Sequence, residues 1–290
     1  MRPIIYLIDT MYLVFKSYYA LNKNNRLVSP DGTPTGALNG LAVILTSLRR
    51  HLSMEYCICA FESKERTFRE DISPIYKANR PPLDEDLKVQ IPLALELCRH
   101  LGYRVFNVSG FEADDVIASL AKRFLKNGWS VRIISKDKDL AQILALEGDV
   151  AIIMPDNKGQ VNHSVDRSNC EEHYGVGAEL IRDWLALQGD AADNIIGIKG
   201  IGPKTAAKLL KDCGCLEELM AHPDRAGQRF ADIIASSSDT LQNNKRLTTL
   251  YGDIPLDSSF DDLAQLAIRP ISDEGQAFFQ RLGFNWQRFL

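Results

Sequence analysis

Short apolar runs, each with an acidic residue at or just past its end, alternate with helical patterns through the first half of this chain. The runs are IIYLID (4–9), YCICAFE (56–62), YRVFNVSG (103–110) and VRIISKDKD (131–139), with a further strand predicted at VAIIM (150–154). Helical patterns at 35–52, 87–102 and 112–128 lie between them. This alternation confines the chain to the α/β class: a mostly parallel central sheet flanked by helices, its strands buried on both faces. In such open sheets the ligand crevice lies outside the carboxyl ends of the strands. Beyond about residue 165 the pattern changes to helices and tight turns at 177–189, 203–214 and 230–252. The chain therefore reads as an α/β domain over 1–165 joined without a flexible linker to a helical region over 166–290.

The acids at the carboxyl edge are Asp9, Glu62, Glu112, Asp114, Asp115, Asp137 and Asp139. A single acid at a helix start is an ordinary cap or dipole partner. Seven on one edge need another reason, because crowded like charges raise each other's pKa unless a cation neutralises them. Asp137 and Asp139 point the same way if the strand runs on to 139, and Glu112 and Asp115 share a face at a helix start. Asp190 and Asp193, three apart beyond a helix end, could complete a nine-acid site for two metals. The set has oxygen ligands and no His or Cys, which favours Mg²⁺ or Mn²⁺ over zinc.

Composition narrows the class further. The 290 residues are 45% hydrophobic and 25% charged, values of a globular chain with a sizeable core. No apolar run reaches the roughly eighteen residues of a membrane span. MRPIIYLIDTMYLVF carries Asp9 and no cleavage signal, so it reads as a buried first strand rather than a leader. None of the six cysteines has C-x-x-C spacing; Cys57 and Cys59 share a strand face as core thiols, and a reducing cytoplasm is expected. The five histidines are scattered without a ligand spacing. A net charge of −4 argues against a nucleic-acid partner, but setting the nine clustered acids aside moves the remainder from −4 to +5.

The stretch QGDAADNIIGIKGIGPKTAAKLL (188–210) joins the acids to a glycine hairpin. Gly197, Gly200 and Gly202 allow positive φ or close backbone approach. Pro203 suits the first helical position, and amides at a helix start can bind phosphate. Lys204 and Lys208 lie one turn apart, with Thr205 between them and Lys199 in the hairpin. This is a helix–hairpin–helix pattern over 185–214 that would hold a phosphodiester backbone without reading bases. The alternative is a turn that only packs two helices.

FEADDVIASLAK, SKDKDLAQIL and GDAADNIIGIKGIGPKTAAKLL closely resemble motifs of the 5′ nuclease (5′→3′ exonuclease) domain of bacterial DNA polymerase I, in the flap endonuclease superfamily. LIDTMYLVFKSYYAL, FREDISPIYKANRPPLDEDL and FFQRLGFNWQRFL extend the resemblance over essentially the whole chain. It implies a PIN-like fold with a helix–hairpin–helix, and metal-dependent hydrolysis of DNA near 5′ ends, flaps and branches in replication and repair. It matches Asp9, Glu112, Asp114 and Asp115 to one metal position, and Asp137, Asp139, Asp190 and Asp193 to the second. Lys77 and Arg80 match basic residues of a helical arch near 70–92, where they could neutralise the scissile phosphate, and Tyr76 could stack on an unpaired base. The Ile198 and Ile201 carbonyls are candidates for a K⁺ site.

Two positions depart from the family pattern. Glu62 stands where Asp is usual, moving a carboxylate by roughly an ångström, and Lys16 stands for Arg, losing bidentate phosphate contact. The alternative reading is a catalytically impaired branched-DNA-binding protein of the same fold. A related nuclease that removes RNA primers is a further one, and an unrelated hairpin-containing glycosylase would need helices in place of the sheet. A monomer working beside a separate polymerase, without a membrane, is the expected setting.

Overall fold

The computed structural model describes residues 2–20 and 27–290. Its centre is a sheet of β1 (Ile4–Asp9), β2 (Tyr56–Ala60), β3 (Arg104–Phe106), β4 (Ser130–Ile134), β5 (Val150–Pro155) and β6 (Val161–Asp166), ordered β3-β2-β1-β4-β5-β6. β1 to β5 run parallel and β6 adds antiparallel to β5. The strand period of two sorts the apolar residues between two cores. Ile5, Leu7, Ile58, Val131 and Ile133 feed one; Tyr6, Ile8, Cys57, Cys59 and Ile134 feed the other.

Helices cover both faces. α1 (Thr10–Ala20), α2 (Gly36–His51), the short α3 (Phe68–Ile72), α4 (Glu85–His100) and α5 (Ala113–Lys126) interleave with the strands. Leu13, Leu41 and Leu97 of α1, α2 and α4 pack on the second core, and Val116, Leu120 and Phe124 of α5 on the first. The remaining helices are α6 (Cys170–Tyr174), α7 (Ile181–Gln188), α8 (Pro203–Cys213), α9 (Leu216–Ala221), α10 (Ala231–Ser236), α11 (Ser238–Thr248), α12 (Leu263–Leu266) and α13 (Asp273–Arg281). Leu185, Leu210, Leu216 and Leu241 join the same core as α5, so apolar packing runs unbroken from the sheet into the helical half. Among the described residues no helix is long and apolar enough to cross a membrane. All six cysteines are free thiols.

Several expected boundaries move. β4 stops at Ile134, so Asp137 lies on a loop and Asp139 opens a 3-10 helix rather than extending the strand. Side chains replace the ladder there: Ser135 Oγ donates to Asp9 and accepts from Asp137 N, while Asp139 N donates to Asp137 Oδ1. β2 ends at Ala60, two residues before Glu62. The helical pattern at 230–252 breaks at Ser236–Ser238, where the Ser236 hydroxyl bonds the Asp232 carbonyl 2.8 Å away. β6 was not expected, since VNHSVD is too polar to read as a strand.

Candidate active site

Asp9 ends β1 and is buried, held by Tyr12 N at 3.0 Å and the Ser135 hydroxyl at 2.8 Å. Burial pushes its carboxyl up to about 6, with Asp137 and Glu62 adding repulsion against those two hydrogen bonds. Glu112 is the N-cap of α5 in a reciprocal capping box with Asp115. Asp114, one residue on, is held well above the carboxylate range by desolvation and by Asp137, Asp9 and Asp139. Asp139 is raised in the same way by burial, Asp137 and Asp190, and Asp137 by its surroundings and by Asp193 and Asp190.

The glycine hairpin delivers the last two acids. α7 ends at Gly189, whose φ is +75°, and β7 (Gly189–Asp190) pairs with β8 (Ile195–Ile196). A Cβ on Gly197 would lie 2.0 Å from the Gln188 carbonyl oxygen, so only glycine permits this close crossing. The tight turn between β7 and β8 carries Asp193 to Tyr76 and Arg80, and leaves Asp190 2.9 Å from the Lys138 ammonium.

Between α3 and α4 the chain is a run of turns rather than a helix, and it lies on the acids. Lys77 Nζ is 2.7 Å from Glu112 and 3.7 Å from the exposed Glu62. Arg80 reaches Asp193 Oδ1 at 2.5 Å. Burial pulls the Lys77 ammonium down, but Glu112, Asp193 and Glu62 outweigh it and hold it above its ordinary value. Lys77 adopts a φ of 56°, a conformation that carries about 1–3 kcal/mol of strain. Its amide donates to the Asp193 carbonyl at 3.0 Å, which fixes that conformation. Tyr76 lies inside the site rather than on a surface where a base could stack. Its ring is 6% exposed and its hydroxyl donates to Asp193 at 2.9 Å and meets Glu112 at 3.2 Å.

Asp115 sits behind the edge. It is fully buried and both its oxygens accept from Arg69, at 2.6 and 2.8 Å, and from the amides of Glu112 and Tyr251. Arg69, 2% exposed, also donates to the carbonyls of Leu247 and Thr249. Sequence reasoning passed over Arg69, and only its place inside FREDISPIYKANRPP marked it. Lys16 contacts the Pro155 carbonyl and the Tyr12 hydroxyl rather than any of the nine acids. Beside Glu62 and Arg80 opens a cleft of 1380 Å³ whose lining includes Phe15, Tyr19, Lys88 and Arg99.

These residues fit divalent cations. Asp139 Oδ1 is buried with no hydrogen-bond partner. Arg69, Lys77, Arg80 and Lys138 pair with Glu62, Glu112, Asp115, Asp190 and Asp193, whereas Asp9, Asp114, Asp137 and Asp139 have no ion pair to a basic side chain among the described residues. The donors are all oxygen, which suits hard cations. No group of three or more carboxylate, imidazole or thiol side chains among the described residues forms a finished ligand set. Several of the carboxylates face Lys77, Arg80, Lys138 and Arg69 instead.

On the far side of the hairpin, Ile198 and Ile201 are buried and pin the turn to the core, leaving Lys199, Gly200, Gly202, Lys204 and Lys208 exposed and Thr205 half-buried. Gly200 has a φ of +83°, and Gly202 is the N-cap before Pro203. The Ile198 carbonyl already accepts from Ile201 N at 2.9 Å.

Family descriptions match residues 4–273 in two adjoining parts: "5'-3' exonuclease, N-terminal resolvase-like domain" over residues 4–175 and "5'-3' exonuclease, C-terminal SAM fold" over 176–273. The chain belongs to the 5'-3' exonuclease family. It is 34% identical over 259 residues to a 5'-3' exonuclease of Aquifex aeolicus (strain VF5), covering 89% of this chain and 86% of that protein. It is also 34% identical over 281 residues to the thermostable DNA polymerase I of Thermus thermophilus, 97% of this chain but 32% of the polymerase. The fold matches T5 5'-exonuclease, solved with divalent metal ions (zinc), with a TM-score of 0.71 at 21% identity over 96% of this chain and 98% of that one. Flap endonuclease-1 from Methanococcus jannaschii gives a TM-score of 0.63 at 16% identity, covering 99% and 90%. The resemblance read from the motifs and the fold class read from the alternation both hold.

Proposed function

We propose that this member of the family is a metal-dependent, structure-selective nuclease. It would hydrolyse DNA phosphodiester bonds near 5′ ends and flaps, of the kind a strand-displacing polymerase leaves in replication and repair. The observation that carries the reading is the hairpin: the turns that offer Gly200, Gly202 and Lys204 to solvent also carry Asp190 and Asp193 to the carboxylate edge. A backbone held at the exposed turn would lie beside the acids.

Asp9, Glu112, Asp114, Asp137, Asp139, Asp190 and Asp193 would hold Mg²⁺ or Mn²⁺, with Glu62 at the rim. When bound, two such ions supply a water activated at neutral pH and neutralise charge on the leaving oxygen. Asp115 supports this set through Glu112. Lys77 and Arg80, released from Glu112 and Asp193, would turn to the scissile phosphate and stabilise its developing charge. The amides at the start of α8, with Lys199, Lys204, Thr205 and Lys208, would grip the backbone without reading sequence. A K⁺ between the Ile198 and Ile201 carbonyls would add to that grip. Lys16 would steer substrate rather than touch the reacting phosphate.

The test is cleavage of a 5′-labelled flap duplex with Mg²⁺, with Mn²⁺ and with EDTA, beside Glu62→Asp. Metal-dependent cuts near the junction are expected. Flap binding with no cleavage, and activity only in Glu62→Asp, would instead leave a branch-binding protein. Matched DNA and RNA flaps would decide whether RNA primers are substrates.

A further inference from the structure

The polar strand β6 and the short helix α6 bring together two histidines that lie apart in sequence. His163 Nε2 and His173 Nδ1 are 3.0 Å apart, with ring centroids separated by 4.8 Å. Both side chains reach solvent. Rigid structure sets their spacing. His163 pairs with Met154 across β5 and β6. The cap of α6 is tied back to β6, since Asn169 Nδ2 donates to the Ser164 carbonyl at 3.1 Å and Asn169 Oδ1 accepts from Asp166 N at 2.8 Å. Cys170 roots α6 in the core, and the Tyr174 ring stands edge-on against His173 at 4.5 Å.

Two neutral imidazoles this close share one proton, one nitrogen donating and the other accepting. A tetrahedral ion at about 2.0–2.1 Å from each nitrogen would separate them by roughly 3.3 Å, only a few tenths of an ångström more. Imidazole selects zinc, copper or nickel, whereas the carboxylate edge selects harder ions, so the two sites differ in ligand chemistry.

We infer that His163 and His173 form a two-imidazole site for a first-row transition-metal ion, with Zn²⁺ as the reference occupant. The remaining coordination positions face water. β6 and α6 carry none of the nine acids, and the assignment does not depend on the nuclease reading.

Zn²⁺ is titrated calorimetrically into the whole protein in a large excess of Mg²⁺, present to compete for any ion binding at the carboxylate edge. His163→Ala, His173→Gln and the double variant are run beside the wild type. One Zn²⁺ equivalent beyond any in the double variant is expected in the wild type, weakened by either single change and lost in the double variant. Imidazole proton resonances of the wild type should shift together as that equivalent binds. Both residues are on the surface, so matching melting temperatures would show that the variants fold. Equal Zn²⁺ binding by the wild type and the double variant, or resonances that do not move, would overturn the assignment.

Discussion

Replacing Arg69 by Met tests whether Asp115 is a buried support or a free ligand. The substitution keeps most of the side-chain volume and removes only the charge and its donors. It leaves Asp115, fully buried, with just the amides of Glu112 at 3.2 Å and Tyr251 at 2.8 Å. It also strips donors from the Leu247 and Thr249 carbonyls and removes the guanidinium 3.4 Å from Glu112. Breaking one side of a buried ion pair destabilises by about 3–5 kcal/mol, because the surviving charge has nowhere to go. For a chain of this size that lowers the melting temperature by on the order of 10 °C. The assay is urea and thermal unfolding of the metal-free protein. Arg69→Met with Asp115→Leu should recover most of the loss, since an apolar pair of similar volume carries no buried charge. A loss under about 1 kcal/mol for Arg69→Met, or a double variant weaker than the single one, would refute the account.

Asp9→Asn should flatten part of the pH profile of the metal-free protein. Asp9 keeps its proton to about 6 when folded against 3.8 ordinarily, so its contribution is full below 3.8 and is lost as pH rises through 6. That loss is roughly 3 kcal/mol, read as the difference between wild-type and variant unfolding curves across the window. Asp139→Asn should raise the melting temperature in EDTA, by removing a carboxylate disfavoured first by burial and then by repulsion from Asp137 and Asp190, while lowering flap cleavage by about 10²-fold or more. A variant that is neither more stable nor slower would count against Asp139 as a ligand. Lys204→Ala should reduce the slope of log K against log salt for flap binding by about one and leave single-turnover cleavage unchanged. An unchanged slope would remove the exposed face of α8 from the DNA path.

The fold class was legible because burial on both sheet faces demands unbroken apolar strands, and IIYLID and YCICAFE carry that demand openly. β6 was not legible: an edge strand with a wet face has no such requirement, and with it went the meeting of His163 and His173. The acids were legible as a group, since every strand end or helix start that supplies one is set by local signals. Their division of labour was not. Asp114 and Asp115 are adjacent in sequence, yet one faces the other carboxylates and the other faces Arg69. On a helix that difference is one step of about 100°, which periodicity can assign only when the buried partner is known. Here the partner comes from FREDISPIYKANRPP, 46 residues earlier, and its other contacts from the end of α11. The Arg69 clamp therefore depends on a long-range meeting of α3, α5 and α11, and a sequence motif records its members without recording that they meet.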